Sequence, residues 1–417
     1  MKILINIIAI VILQVNVFAQ ESKIAIDSIS ISELKDSQDP VIIKTDRKHF
    51  KVPYTTKRVS LNFIGYAKLI AGVDFGNIQN TSEFYPSKIP IYPTLQEQQP
   101  HTFLDARQTR LGVDAVYNVQ DQKKLHIYVE IDFYNTETQT SLVPHLRHAY
   151  GEYNGFLLGQ TWSTMKNNSA FPVQVDFEGP NSIPGPRNPM IRYTKKYNKG
   201  FSFATAIETH KEDYTPYSIY PDDVNSYLIA PDFIAYIQQE GKWGNVRLNG
   251  IISNFSYTNK DTITTKIEYD YGWGIEISGI LKFFNRDNIN DDIRFVYLYG
   301  KGISYYINDL RGMGLGAAPD KYGNMTVISE MGGYIAYKHA WNKKSTSSAI
   351  FSFTKIDNSV FNNNQMLNYS TYAAVNYMWT PLDRLDFGIE FIYGRNVNKI
   401  EDYGEGYRFQ AMSIFHF

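Results

Sequence analysis

The sequence predicts an all-β protein, a transmembrane antiparallel β-barrel of about 16 strands with short periplasmic turns and long external loops. Three observations carry that prediction. The chain opens with an export signal. Apolar and polar residues then alternate with a period of two over long stretches. The connections between those stretches alternate strictly between short and long.

Residues 1–19 read as a signal peptide. Lys2 supplies the positive end, residues 7–13 (IIAIVIL) the unbroken apolar stretch, and Val17-Phe18-Ala19 a small-residue cleavage pattern, which places the cut after Ala19. Asn6, Gln14 and Asn16 interrupt the segment. It falls short of the ~20 apolar residues of a membrane-spanning helix, and no later stretch approaches that length. Residues 20–59 are polar, rich in Ser, Asp and Lys, and sustain no heptads; they read as a largely disordered periplasmic extension.

The barrel is expected over 60–417. Its period-two segments fall at about 60–76, 103–118, 123–135, 144–153, 156–162, 190–197, 200–210, 230–240, 243–257, 269–284, 291–307, 325–341, 345–357, 367–380, 383–396 and 405–417. In the third, Leu125, Ile127, Val129, Ile131 and Phe133 alternate with His126, Tyr128, Glu130, Asp132 and Tyr134. Short connections at 119–122, 154–155, 198–199, 241–242, 285–290, 342–344 and 381–382 interleave with longer loops at 77–102, 136–143, 163–189, 211–229, 258–268, 308–324, 358–366 and 397–404. Asn154-Gly155 is a two-residue hairpin turn by composition. An even strand count puts both ends of the barrel on the periplasmic side.

A soluble sandwich or propeller needs only short strands. Several segments here are long, with Tyr, Trp and Phe at their ends, as an aromatic girdle requires. The last strand has aromatics at both ends and finishes at Phe417, which resembles the assembly signature of Gram-negative outer-membrane proteins. The expected setting is therefore the lipid of a Gram-negative outer membrane.

Composition excludes other classes. Lys+Arg number 41 against 42 Asp+Glu, so the chain has no net pull on nucleic acid. The absence of cysteine removes disulfides, thiolate zinc sites, Fe–S clusters and a cysteine nucleophile. No metal site or cofactor is expected. The eight His are scattered, and the spacing of His145 and His148 puts them on opposite faces of a regular strand. Neither G-x-S-x-G nor H-E-x-x-H occurs. An outer-membrane barrel enzyme is thus one alternative without a motif, and a plugged structural or adhesive barrel is another. A TonB-dependent transporter needs a folded plug that residues 20–59 are too short and too polar to supply.

If apolar positions face lipid, the opposite parity places Arg110, Asp114, Glu130, Asp132, Arg192, Glu208, Arg247, Glu276, Arg294, Glu390 and Arg408 in the lumen. Arg107 shares the parity of Leu111 and Val113, which fits a rim position, a subunit contact or a parity-resetting bulge. A charged interior marks a water-filled channel. Its residues can stiffen the wall as salt bridges, or form an arginine ladder that guides carboxylates. The segment 163–189 contains Pro172, Pro180, Pro184, Pro186 and Pro189 and is both long and stiff. It leaves the fifth strand, and it is expected to fold into the lumen and narrow the pore, with Lys166, Asp176, Glu178 and Arg187 near the eyelet. The alternative is an ordinary external loop.

Several motifs resemble the DcaP-like trimeric outer-membrane porins. They are Phe50, Pro53, Leu61, Gly65-Tyr66, Lys68-Leu69 and Asp74-Phe75, then the run from Asp105 through Arg107 and Arg110 to Gly112. The most specific are Leu158-Gly159-Gln160-Thr161-Trp162-Ser163, Asp176-Phe177-Glu178-Gly179-Pro180 and Arg187-Asn188-Pro189-Met190-Ile191-Arg192-Tyr193. The resemblance covers roughly residues 50–417. It implies a sixteen-stranded homotrimeric porin for passive diffusion of small hydrophilic solutes, negatively charged dicarboxylates among them. It also implies an anion-guiding role for Arg107, Arg110, Arg187 and Arg192.

Overall fold

The computed structural model describes residues 54–417 apart from 56–58, 77, 79–82, 96–97, 120–122, 135–142, 211–212, 215–223, 227–229, 260–265, 287–288, 320–324 and 362. The expected signal peptide, and residues 20–53 of the expected extension, lie outside the described residues.

Sixteen antiparallel strands close a barrel. They are β1 (Val59–Gly76), β2 (in two pieces, His101–Asp105 and Arg110–Asn118), β3 (Lys124–Asp132), β4 (His145–Tyr153), β5 (Phe156–Trp162), β6 (Arg187–Lys196), β7 (Phe201–Glu208) and β8 (Asp232–Gly241). The second half comprises β9 (Gly244–Asn259), β10 (Lys266–Arg286), β11 (Ile289–Lys301), β12 (Ser329–Asn342), β13 (Ser345–Ile356), β14 (Leu367–Leu382), β15 (Leu385–Asn398) and β16 (Tyr403–His416). Each strand pairs with its neighbour in sequence, and β1 pairs with β16 from Tyr66↔His416 to Gly76↔Gly406 to close the sheet. No helix among the described residues is long and apolar enough to cross a membrane. The wall satisfies its backbone groups between strands, which leaves no open edge to lipid.

The alternation seen in the sequence becomes two faces. Phe63, Leu69, Leu111, Ile127, Ile191, Ile237, Ile275, Ile335, Val375 and Phe409 stand exposed on the outside. Asp74, Asp132, Glu208, Glu276, Glu390 and Arg408 are buried on the opposite face. Trp379 and Phe387 stack at 5.9 Å beside the β14–β15 turn, one end of the aromatic girdle. The Asn154-Gly155 turn takes φ of 51° and 87°, the paired positive values that a tight hairpin requires.

Two strands depart from expectation. Segment 103–118 is interrupted at 106–109, and β1 bridges both pieces, pairing Ile70 with Asp105 and Tyr66 with Arg110. Segment 291–307 stops at Lys301, because Gly302 turns the chain at a φ of +67° and a short 3-10 turn, Ser304–Tyr306, follows. From there the chain goes inward. Ile303, Ile307, Leu310 and Leu315 are wholly buried, packed with Met165, Ala170 and Ile183 of the β5–β6 loop against Ile234, Ile251 and Leu298 of the wall. The β1–β2 loop also enters, with Phe84 and Ile89 packed on Ile350, Tyr372 and Ile392. Among the described residues, the β1–β2, β5–β6 and β11–β12 loops therefore all turn into the lumen.

Candidate functional site

The β5–β6 loop occupies residues 163–186, three residues shorter at its end than expected, because Arg187 already pairs with Trp162 in the sheet. Its neck is closed by Ser163 N–H donating to the Pro186 carbonyl at 2.8 Å. From that neck it crosses the lumen. Thr164 N–H donates to Glu208 on β7 at 2.7 Å, and Asn167 Nδ2 to Asn245 on β9 at 3.1 Å. Farther on, Val175 and Asp176 donate their N–H groups to Glu390 on β15 at 3.1 and 2.7 Å. Asn181 Nδ2 donates to Ser370 Oγ on β14 at 2.8 Å, and the hydroxyls of Ser182 and Ser352 meet at 2.7 Å. A loop tied to the wall on both sides of the barrel is a fixed partition.

The partition borders a cavity of about 470 Å³, roughly the size of a small-solute site. Lys68, Arg110, Arg147, Lys166, Arg187 and Arg311 line it, with Asp176 and Glu178. Aromatic faces space the cations. Arg110 and Arg147 lie 5.4 and 5.3 Å from the Phe177 ring, with Lys68 at 5.9 Å. Lys166 Nζ sits 3.2 Å above the Trp162 ring, and Arg187 4.5 Å from it. These contacts hold positive charge near the pore without neutralising it. Neither Lys166 nor Arg187 has an ion pair among the described residues.

The acids are placed differently. Glu390 accepts the two loop amides, Asn376 Nδ2 at 2.9 Å and Gln410 Nε2 at 2.9 Å. Glu208 accepts from Thr164 and Asn188, and Glu276 from Asn249 at 3.0 Å. Asp132 and Glu130 flank Arg147, at 2.5 and 2.8 Å. Asp114 pairs with His126 at 2.8 Å. Asp176 accepts from the Tyr372 hydroxyl at 3.0 Å. Burial, reinforced by Glu390, pushes the Asp176 carboxyl up to about 7. Burial, reinforced by Arg187, pulls the Lys166 amine well below the usual lysine range.

Of the residues expected to guide anions, Arg110 and Arg187 reach the cavity and two do not. Arg107 is buried in the break between the β2 pieces, where Asp105 grips it through a fork of 3.0 and 2.7 Å. The break, with Thr109 N–H donating to the Ala106 carbonyl, resets the strand's parity. Arg192 pairs with Leu157 nearer the periplasmic end of β6, away from the cavity. The other expected lumen arginines act on the wall or the loop. Arg247 donates to the Lys166 carbonyl at 3.2 Å, and Arg294 pairs with Asp292 at 2.8 Å and donates to the Phe171 carbonyl. Arg408 forms a buried fork with Asp74 at 2.6 and 2.8 Å.

Strict parity missed Arg147. A bulge in β4 shifts the register between Glu130↔His148 and Ile131↔Leu146 and leaves Arg147 as the extra residue. The same bulge corrects the expectation for the two histidines. His145 Nδ1 meets Asp132 at 2.9 Å, and His148 Nδ1 meets Thr161 at 2.9 Å, so both face inward. Lys68 was obscured because the inward positions around it in β1 are Ile64, Tyr66 and Ile70. Arg311 lies on the β11–β12 loop, whose inward course carries no period-two signal.

A closed sixteen-stranded barrel with an apolar coat and a loop crossing its charged lumen defines an outer-membrane channel of the porin class. Residues 42–416 match the family described as DcaP outer membrane protein, and the chain belongs to that family. Its place is accordingly the outer membrane of a Gram-negative bacterium. The outer membrane channel DcaP of Acinetobacter baumannii superposes with a TM-score of 0.74 at 18% identity, over 89% of this chain and 100% of that one. An anion-selective porin from Comamonas acidovorans gives 0.54 at 10%, over 86% and 100%. Salmonella typhi OmpF, solved with daunomycin, gives 0.53 at 10%, over 88% and 100%. No curated protein matches the chain.

Proposed function

We propose that the protein is a homotrimeric porin through which small hydrophilic anions, dicarboxylates among them, diffuse passively past the constriction. The observation that carries this reading is the separation of charge. Six cations line one cavity. Arg147 is held by Glu130 and Asp132, and Arg110 lies 3.7 Å from Glu130, but Lys166 and Arg187 have no ion pair among the described residues. Glu208, Glu276 and Glu390 are engaged by the wall or by the inward loops. Guanidinium groups bind carboxylates in a two-pronged fork, and several weak stations in series let a solute enter and leave. Arg110, Arg147, Arg187 and Lys166 guide the anion, and Asp176 and the loop 163–186 set the aperture.

The family resemblance and the strand lengths support the trimer. β5 has 7 residues and β7 has 8, below the roughly 9–11 that a tilted strand needs to span hydrocarbon. That low stretch of wall, with Phe156, Leu158 and Ile207 exposed, suits cover by neighbouring subunits rather than by lipid. No step in this function makes or breaks a covalent bond. Purified protein in a planar bilayer tests the reading. Conductance steps arriving in threes, with a reversal potential displaced toward the anion equilibrium under a salt gradient, are expected. A silent bilayer would instead favour a plugged structural barrel.

A further inference from the structure

One carboxylate of the cavity lining stands unheld, beside the cations of the constriction and near a second acid, the buried Glu83. Glu178 lines the same cavity as Arg187 and Lys166 and is half-buried. Its backbone N–H donates to Asp176 Oδ1 at 3.3 Å, but its carboxylate has no ion pair and accepts no hydrogen bond among the described residues. This sets it apart from Glu390, Glu208 and Asp176, each of which has a donor. The position is stiff. Gly179 takes a φ of +83° and a Cβ there would meet Ile183 at 2.5 Å, and Pro180 follows. Glu178 is therefore held at the cavity wall rather than swinging free of it.

A fixed carboxylate beside fixed guanidinium groups acts on a passing solute in two ways. It repels a plain dianion, and so limits how tightly the cations hold it. It attracts an ammonium group carried on the same solute. We propose that the constriction selects acidic α-amino acids over dicarboxylates of the same carbon chain that lack the amine. Arg187 and Lys166, the two cavity cations without an ion pair among the described residues, receive the carboxylates and Glu178 receives the ammonium. This rests on the anion-channel reading above and names the solute class of that same site. Discrimination comes from the repulsive element as much as the attractive one: removing Glu178 eases the dianion's passage and slows the amino acid's.

L-glutamate and glutarate differ by the α-ammonium alone and form the test pair. Uptake of each is measured in liposomes holding the full-length protein, with a neutral sugar as the measure of open pores. In the wild type, glutamate enters about fivefold faster than glutarate, a ratio set by one screened charge interaction. Glu178→Gln brings the ratio close to one while sugar uptake holds, and Glu178→Asp restores it. A wild-type ratio near one, or a ratio that Glu178→Gln leaves unchanged, overturns the proposal. Wild-type single-channel records give a reading independent of any variant: glutamate interrupts the current longer than glutarate does, and the reverse order overturns the proposal. If the wild type admits neither the sugar nor either acid, the channel reading itself falls and this inference with it.

Discussion

Glu390 on β15 accepts the backbone N–H of Asp176 at 2.7 Å, joining residues 214 positions apart in the chain. Three further donors, Val175 N–H, Asn376 Nδ2 and Gln410 Nε2, fill the remaining directions of the same carboxylate. A buried carboxylate with four donors is an anchor for the loop rather than a charge offered to solutes. Removing it tests that role. Each hydrogen bond to a charged acceptor contributes about 1.5–3 kcal/mol, so Glu390→Ala frees the middle of the loop. Single-channel conductance should rise by about twofold, and larger polymers should enter the pore, because the partition no longer holds its place. Unaltered conductance and polymer cut-off would show that the loop stands without this anchor.

Arg147 is expected to dominate charge selectivity. Its removal takes one cation from the cavity and also leaves Glu130 and Asp132, at 2.8 and 2.5 Å, without their shared partner. Two changes of the same sign then act together. Arg147→Ala should lower the anion-to-cation permeability ratio by about threefold or more, and further than Arg187→Ala does. Arg107→Ala should leave the ratio near wild type, since the Arg107–Asp105 pair lies in the β2 break and lines no part of the cavity. Reversal potentials across a salt gradient decide the order. An Arg107 effect equal to that of Arg147 would contradict the placement of charge described above.

Which parts of this were legible in the sequence follows from what period-two alternation can report. It reports a strand with a lipid face and a lumen face, so the order of strands and turns emerged with ends mostly within a few residues of the structure. It fails wherever an extra residue resets the face. The β4 bulge hid Arg147, and the break at 106–109 sent Arg107 into a buried pair. It is also silent on loops. The run from Ile303 to Leu315 looks like the end of a strand followed by an ordinary loop, yet Ile303, Ile307, Leu310 and Leu315 form the centre of the largest apolar cluster. Parity assigned Glu208, Glu276 and Glu390 to the lumen side but could not show that loop amides and wall side chains would engage them. That required contacts between residues far apart in sequence.

Selectivity should depend on pH in one direction. Asp176, pushed up to about 7 by burial and by Glu390, is largely protonated at pH 6 and ionised at pH 8. Lys166, whose amine burial pulls well below the usual range, gives up its charge on a rise in pH sooner than a free lysine does. Both events make the constriction more negative. The anion-to-cation permeability ratio should therefore fall as pH rises through about 7, where Asp176 ionises. Asp176→Asn should flatten the part of the fall near pH 7, and Lys166→Met should leave that part in place while lowering the ratio in acid. A ratio that climbs with pH would put other groups in control.

The seam of the barrel makes a prediction about assembly. Phe417 N–H donates to the Gly65 carbonyl at 3.2 Å, so the last residue of the chain closes onto the first strand. Gly65 has no room for a side chain: a Cβ there would lie 2.3 Å from the Arg110 carbonyl oxygen and 2.8 Å from the Phe417 ring. The oxygen belongs to the backbone of β2, which pairs Leu111 with Gly65 and cannot withdraw without opening the sheet. Any side chain at this position thus separates β1 from β2 and displaces the terminal ring at once. Gly65→Val should yield little barrel that keeps its folded mobility in unheated gels. Phe417→Ala, which removes only the ring, should fold more slowly but reach the same final barrel. A Gly65→Val protein that assembles and resists denaturant like the wild type would mean that the seam closes without this contact.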